Sequence, residues 1–254
     1  MPDFLPMWLI GVGFILLSLI AYEVGFRTGR WWQRRTPGEQ EGPTGVLVGS
    51  LLALLAFMLA IATGMAADRF DARRGFVIDQ ANAVRVAYLQ AAYLPAPAND
   101  QVQELLRRYA PLLIRPDDVT TLEQNDAKAS ELEEQMWSIT QEIARTNSND
   151  VIAEFVVSLS EVTTVHQERL NAVVNVRVPT TILWLLIAGA VLSLGMVGFG
   201  AGVTEHRSMV TAAVLIVALG ATILLVLDLD NPFQGLISAS QQPLIDLVNY
   251  LGPP

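Results

Sequence analysis

Four stretches of this chain, 4–25, 45–67, 178–201 and 209–227, are apolar almost without interruption. Each is long enough to cross the hydrocarbon core of a bilayer as a helix, which takes about 20 residues. A lipid-crossing segment must satisfy its backbone internally, and strands doing so would alternate in polarity and be about half as long. The reading is therefore all-α: a polytopic membrane protein with four transmembrane helices. Charged residues make up only 16% of the chain, against roughly 25% in soluble domains. The first stretch follows Met1-Pro2-Asp3, with no basic leader and no small-x-small cleavage site, so it reads as a retained anchor rather than a signal peptide.

The connections run short, long, short. Residues 27–44 join the first pair of spans and 202–208 the second, while 68–177 form a polar insert of 110 residues. The expected division is a first transmembrane hairpin (1–67), a helical extramembrane domain (68–177), a second hairpin (178–228) and a C-terminal segment (229–254). The insert carries eight Asp and nine Glu against ten Arg and one Lys. A connection that long should have structure of its own. Leu132, Met136, Ile139 and Ile143 repeat at helical spacing, as do Val151, Phe155, Val162, His166 and Val173, so two helices should pack as an antiparallel pair. Asn147-Ser148-Asn149-Asp150 supplies the turn and the next N-cap. The second span should continue as one rod over 45–94, about 75 Å long at 1.5 Å per residue, until Leu94-Pro95-Ala96-Pro97 breaks it. A shorter helix follows over about 99–113, and 242–251 should form an amphipathic helix at the membrane surface.

The chemical inventory is sparse. Cysteine is absent, which excludes disulfide and cysteine–metal scaffolds, and His166 and His206 are the only histidines. His166 lies on an apolar stripe and reads as a packed core residue; His206, between Glu205 and Arg207, reads as solvated. A net charge of −9 argues against nucleic acid as a partner. No nucleophile–base pair or acid/base cluster can be assembled, so no enzyme, cofactor or metal is expected. Glu23 and Asp228 are the carboxylates nearest lipid, and their places at span ends suit an interfacial position. Gly189, Gly195, Gly198, Gly200 and Gly202 suit close helix contact.

The motifs are more informative. After the run Leu51-Leu52-Ala53-Leu54-Leu55-Ala56-Phe57 come Ala66-Ala67-Asp68-Arg69-Phe70, then Arg73-Arg74, Ala81-Asn82-Ala83 and the Leu94-Pro95-Ala96-Pro97 break. Pro179 and Trp184 open the third span, and Leu229-Asp230-Asn231-Pro232-Phe233-Gln234-Gly235 follows the fourth. In this order the elements resemble the bacterial bestrophin-like domain family, four-span membrane proteins with a Leu-Asp-x-Pro-Phe-x-Gly signature, and more distantly the bestrophin channels. The resemblance implies a homo-oligomer, pentameric in true bestrophins, whose second span lines a narrow hydrophobic neck. Counted back from Arg69, the matching positions are Ala53, Phe57 and Ile61, which i, i+4, i+8 spacing places on one helical face. It further singles out Arg69, Arg73 and Arg74 after that span, and Asp230, Asn231, Pro232, Phe233 and Gly235 after the fourth. The acidic run that helps animal bestrophins bind calcium is replaced here by Gln234-Gly235-Leu236-Ile237-Ser238-Ala239-Ser240, so no calcium clasp is expected.

Sidedness draws two answers. Arg27, Arg30, Arg34, Arg35 and Arg207 in the short connections weigh against Arg69, Arg73, Arg74, Arg169 and Arg177 at the ends of the insert. Because charges in long loops count for less, the positive-inside rule leans towards an outside insert. The bestrophin resemblance puts insert and termini in the cytoplasm of a bacterial plasma membrane, and that orientation is taken as the expectation. The functional expectation is a bestrophin-like oligomeric ion channel, anion-conducting by resemblance. The alternative is a non-conducting structural or accessory subunit whose insert docks another membrane complex.

Overall fold

A computed structural model describes residues 7–36, 42–116, 118–146, 149–174, 179–207, 209–231 and 235–253. The described residues form α1 (Met7–Arg35), α2 (Gly42–Ala91), α3 (Ala98–Tyr109) running into a 3-10 turn (Ala110–Leu113), α4 (Val119–Thr146), α5 (Asp150–Val174), α6 (Thr180–Val203), α7 (Met209–Asp230) and α8 (Gln242–Leu251). No strand occurs among them. Four helices are long and apolar enough to cross a membrane: α1, α2, α6 and α7. The chain divides into two compact units, Met1–Asp68 with Arg177–Ile237, and Arg69–Val176 with Ser238–Pro254. The 50 residues of α2 are one uninterrupted helix, its first part in one unit and the remainder in the other.

The apolar unit is held chiefly by α1 against α6. Its core gathers Phe14 of α1, Leu55, Leu59, Ala62 and Ala66 of α2, Leu186, Ala190 and Leu194 of α6, and Ile216, Ile223 and Val226 of α7. With water absent on both sides of such a contact, association depends on packing, and small residues let backbones approach. A side chain on Gly25 would strike the carbonyl of Gly195, one on Gly29 that of Phe199, and one on Gly198 or Gly202 those of Tyr22 or Phe26. All four obstacles are backbone, which cannot swing aside. Gly198→Ala should therefore destabilise the protein by on the order of 2–3 kcal/mol. Gly13→Ala, which meets nothing within 4 Å, should leave the unfolding temperature unchanged.

This packing also explains a difference from the sequence reading. Residues 27–35 were expected in a connecting loop, yet α1 continues to Arg35. Gly29 and Arg30 still lie against the end of α6, where a Cβ on Gly202 would come 2.8 Å from the Arg30 nitrogen. Arg35 stacks on Trp31 one turn back, 4.1 Å from the ring centroid. Helix-favouring residues with a packed face have no reason to unwind where the hydropathy falls.

The second unit is a helical domain. Its core joins Val77, Val84 and Ala87 of α2, Leu106 and Tyr109 of α3, Leu132 and Met136 of α4, Phe155 and Val162 of α5, and Leu244, Leu247 and Leu251 of α8. Asn149 caps α5 through the Ile152 N–H at 2.9 Å. The α5 stripe begins at Ile152 rather than Val151, which is exposed, and it includes the buried Leu159. The apolar face of α8 was expected on a membrane surface; it is spent in this core instead. Arg107 reinforces the docking by donating from Nε to the Leu251 carbonyl at 3.1 Å.

Candidate functional site

On the membrane part of α2 the buried residues Leu55, Leu59, Ala62 and Ala66 recur at helical spacing and hold the helix to its own unit. The opposite side carries Ala53, Phe57, Ala60, Ile61 and Gly64, all exposed, with Phe57 at 59% and Ile61 at 43%. The three positions expected on one face do share it, and that face meets no other part of its unit. A Cβ on Gly45, Gly49 or Gly64 would find open space, in contrast to the tightly enclosed glycines of α1 and α6. Within this chain, therefore, Gly45, Gly49 and Gly64 do not serve close packing.

The arginines after the span separate by environment. Arg73 is buried, Arg69 half-buried and Arg74 exposed. Arg73 turns into the helical domain, where it lines a small cavity with Arg115 and Arg169.

At the end of α7, Asp228 is buried and accepts hydrogen bonds from the backbone N–H groups of Leu236 at 2.6 Å and Ile237 at 2.9 Å. One carboxylate thus folds the following segment back over the helix terminus. Gly235 lies inside this fold: a Cβ there would approach the Asp228 carbonyl at 2.8 Å and those of Asn231 and Ile237 at 3.2 Å. Asp230 is buried close by, and the Asn231 N–H shares the carbonyls of Leu227 and Asp228. Pro232 and Phe233 lie outside the described residues. At this span end Asp228 has a structural task, as the local acceptor for two backbone N–H groups. Glu23 is likewise engaged: it accepts from Arg27 Nε at 2.9 Å and from Arg207 Nη2 at 2.7 Å, tying α1 to the α6–α7 connection.

The helical domain contains a polar cluster that the apolar stripes concealed. His166 is buried as expected, but its Nδ1 lies 2.7 Å from Glu133 Oε1 and its Nε2 3.5 Å from Asp126 Oδ1. The Tyr109 hydroxyl donates to the same Glu133 oxygen at 2.6 Å. Burial first, then the Glu133 carboxylate, pushes the Tyr109 phenol well above its ordinary range. Glu133 falls on the α4 stripe between Leu132 and Met136. A carboxylate at that register, facing a helix whose stripe holds a histidine, was the available signal. No group of three or more His, Cys, Asp or Glu suited to a metal ion occurs among the described residues.

Residues 15–244 match the Bestrophin-like domain family. The chain belongs to that family. It is accordingly a multi-pass membrane protein, with four spanning helices and a helical domain of the bestrophin-like type. Its fold is shared with solved structures of a bacterial bestrophin homologue from Klebsiella pneumoniae. A tryptophan-to-alanine variant of that homologue superposes with a TM-score of 0.70 at 14% identity, covering 96% of this chain and 95% of that one. The structure phased on zinc gives 0.66 at 14% identity, covering 95% and 94%. A tyrosine-to-alanine variant gives 0.65 at 16% identity, covering 94% and 95%. No curated protein matches the sequence significantly. Of the signature residues after α7, Gly235 is the one whose surroundings enclose it, against the carbonyls of Asp228, Asn231 and Ile237.

Proposed function

We propose that this bestrophin-like protein is an oligomeric ion channel, a ring of identical subunits with the second span innermost. Ala53, Phe57 and Ile61 then line its neck. The observation that carries this reading is the outward face of α2, where Gly49, Ala53, Ala60 and Gly64 border open space and Phe57 and Ile61 supply the bulk. A lipid-facing helix gains nothing from a row of small residues, whereas helices lining an axis gain room for a path. Two apolar rings one turn apart would gate by dewetting, with no covalent chemistry and no bound cofactor. Anion selectivity is proposed with this reading, by resemblance to bestrophins.

The test is the oligomeric state in detergent together with single-channel recording in planar bilayers. A closed ring with ion currents supports the proposal; a monomer that stays silent across salts and voltages removes it. The accessory reading would then stand. It has an observation of its own, a groove of about 380 Å³ whose lining mixes the acidic Asp79, Glu154 and Glu161 with the exposed Val86 and Val157.

The helical domain is proposed to face the cytoplasm of a bacterial plasma membrane. Asp126 is a poor labelling position, since its carboxylate faces His166. Glu131 is exposed on α4. A cysteine replacing Glu131 in this cysteine-free chain should resist an impermeant thiol reagent in intact cells and react after lysis. Labelling before lysis would reverse the orientation.

A further inference from the structure

We propose that the basic end of α1 holds an anionic phospholipid of the leaflet it leaves, through Arg30 and Arg34 with Trp31 beside them. The helix crosses the membrane and continues without a break to Arg35. Leu16, Ile20 and Val24 form an exposed apolar stripe along it. Spacing of three and four residues carries that stripe on into Arg27, Arg30, Trp31, Arg34 and Arg35, all of them exposed. One helix face thus changes from aliphatic to basic between Val24 and Arg27. The opposite side, with Tyr22, Gly25, Phe26 and Gly29, is the one packed against α6.

The cations of this face are only partly engaged within the chain. Arg27 and Arg207 share Glu23, and Arg35 lies over the Trp31 ring. Arg30 and Arg34 have no ion pair or hydrogen bond among the described residues. Residues 27–44 hold four arginines against two glutamates, Glu39 and Glu41, so the connection is net basic. The helix dipole favours Arg34 and Arg35 in the last turn. Its effect fades within that turn, so it does not account for Arg27, Arg30 or Trp31 on the same face.

Position and chemistry select the occupant. Arg30 and Arg34 follow the last aliphatic residue of the stripe by about 9 and about 15 Å along the axis, at 1.5 Å per residue. Side chains on a helix tilt towards its N-terminus, which for this end of α1 is back towards the bilayer, and long basic side chains reach for the headgroup layer. Arg35 shows that direction: its guanidinium sits 4.1 Å from the centroid of Trp31, one turn nearer the membrane. Guanidinium forks match phosphate oxygens, and an indole at headgroup depth packs its apolar body against the lipid. A zwitterionic headgroup offers the same phosphate but adds a cation, which free arginines repel. An anionic glycerophospholipid presents the phosphate alone. The assignment holds on either side of the membrane and whether or not the protein conducts.

The experiment uses the delipidated full-length protein in a neutral detergent, titrated with phosphatidylglycerol or with phosphatidylcholine of the same acyl chains. Native mass spectrometry counts the bound lipid, and the unfolding temperature reports its effect, because a ligand bound only to the folded state stabilises it by mass action. Phosphatidylglycerol should bind and raise the unfolding temperature by a few degrees to saturation, while phosphatidylcholine should do neither. Arg30→Gln combined with Arg34→Gln should weaken phosphatidylglycerol binding about thirtyfold, two basic groups at an anionic headgroup being removed. Arg108→Gln, an exposed arginine on α3 in the helical domain, should bind as the parent does. Equal responses to the two lipids overturn the proposal, and so does a double variant that binds phosphatidylglycerol like the parent. A full response to soluble glycerol phosphate overturns the lipid as the source of the phosphate. If the double variant fails to fold, the comparison of the two lipids on the parent decides alone.

Discussion

Phe57→Ala should raise the conductance of the reconstituted protein about tenfold, or produce leak currents where the parent is silent. The side chain is 59% exposed, on the face of α2 that its own unit leaves uncovered. In a symmetric ring one substitution removes an aromatic ring from every subunit at once, so the constriction widens cooperatively. A tenfold change needs only about 1.4 kcal/mol off the barrier, which the removal of several ring faces from a dewetted neck readily exceeds. Val217 on α7 provides the control, being equally outward at 65% exposure. Val217→Ala should leave the current unchanged if Phe57 faces an axis and Val217 faces lipid. Equal responses from the two variants, or silence from Phe57→Ala and parent alike, would refute the neck.

The largest stability effect is expected from Phe155→Asp. Phe155 is fully buried on α5, in the same core as Leu106, Met136 and Leu159. The substitution removes a large apolar side chain, itself worth about 3–5 kcal/mol, and adds a carboxylate with no partner. The helical domain should fail to fold cooperatively, seen as loss of its thermal transition and aggregation on size exclusion. Val151→Asp, four residues earlier, should be nearly silent, since Val151 is exposed in the first turn of α5, where a negative charge suits the helix dipole. Val151 and Phe155 belong to one stripe by spacing alone, so this pair of variants separates periodicity from burial. Unchanged stability for Phe155→Asp would sink the packing described for α4 and α5.

Much of the architecture was legible because membranes impose a coarse rule. Four runs of about twenty apolar residues have no alternative to helix in lipid, and the polar insert betrayed its helices by the spacing of Leu132, Met136, Phe155 and Val162. The unbroken α2 and its end before Pro95 and Pro97 followed from the absence of any proline between Pro43, in its first turn, and Pro95. The order of motifs was enough to place the chain among bestrophin-like proteins. Spacing also put Ala53, Phe57 and Ile61 on one face, since that needs only the helical repeat.

Tertiary structure decided the rest. Periodicity defines faces but not which face is covered, so only packing against α6 and α7 showed that Leu55 and Leu59 turn inward and Phe57 outward. Hydropathy reports transfer into lipid, not helix continuity, and therefore ended α1 too early. The amphipathic pattern of α8 is the same whether a membrane or a protein core receives it; the core contacts of Leu244, Leu247 and Leu251 chose between them. The meeting of Tyr109, Glu133 and His166, and of Arg73, Arg115 and Arg169, joins residues far apart in sequence. No local pattern encodes such pairings, because a buried polar group is tolerated only where the fold brings it a partner from another element.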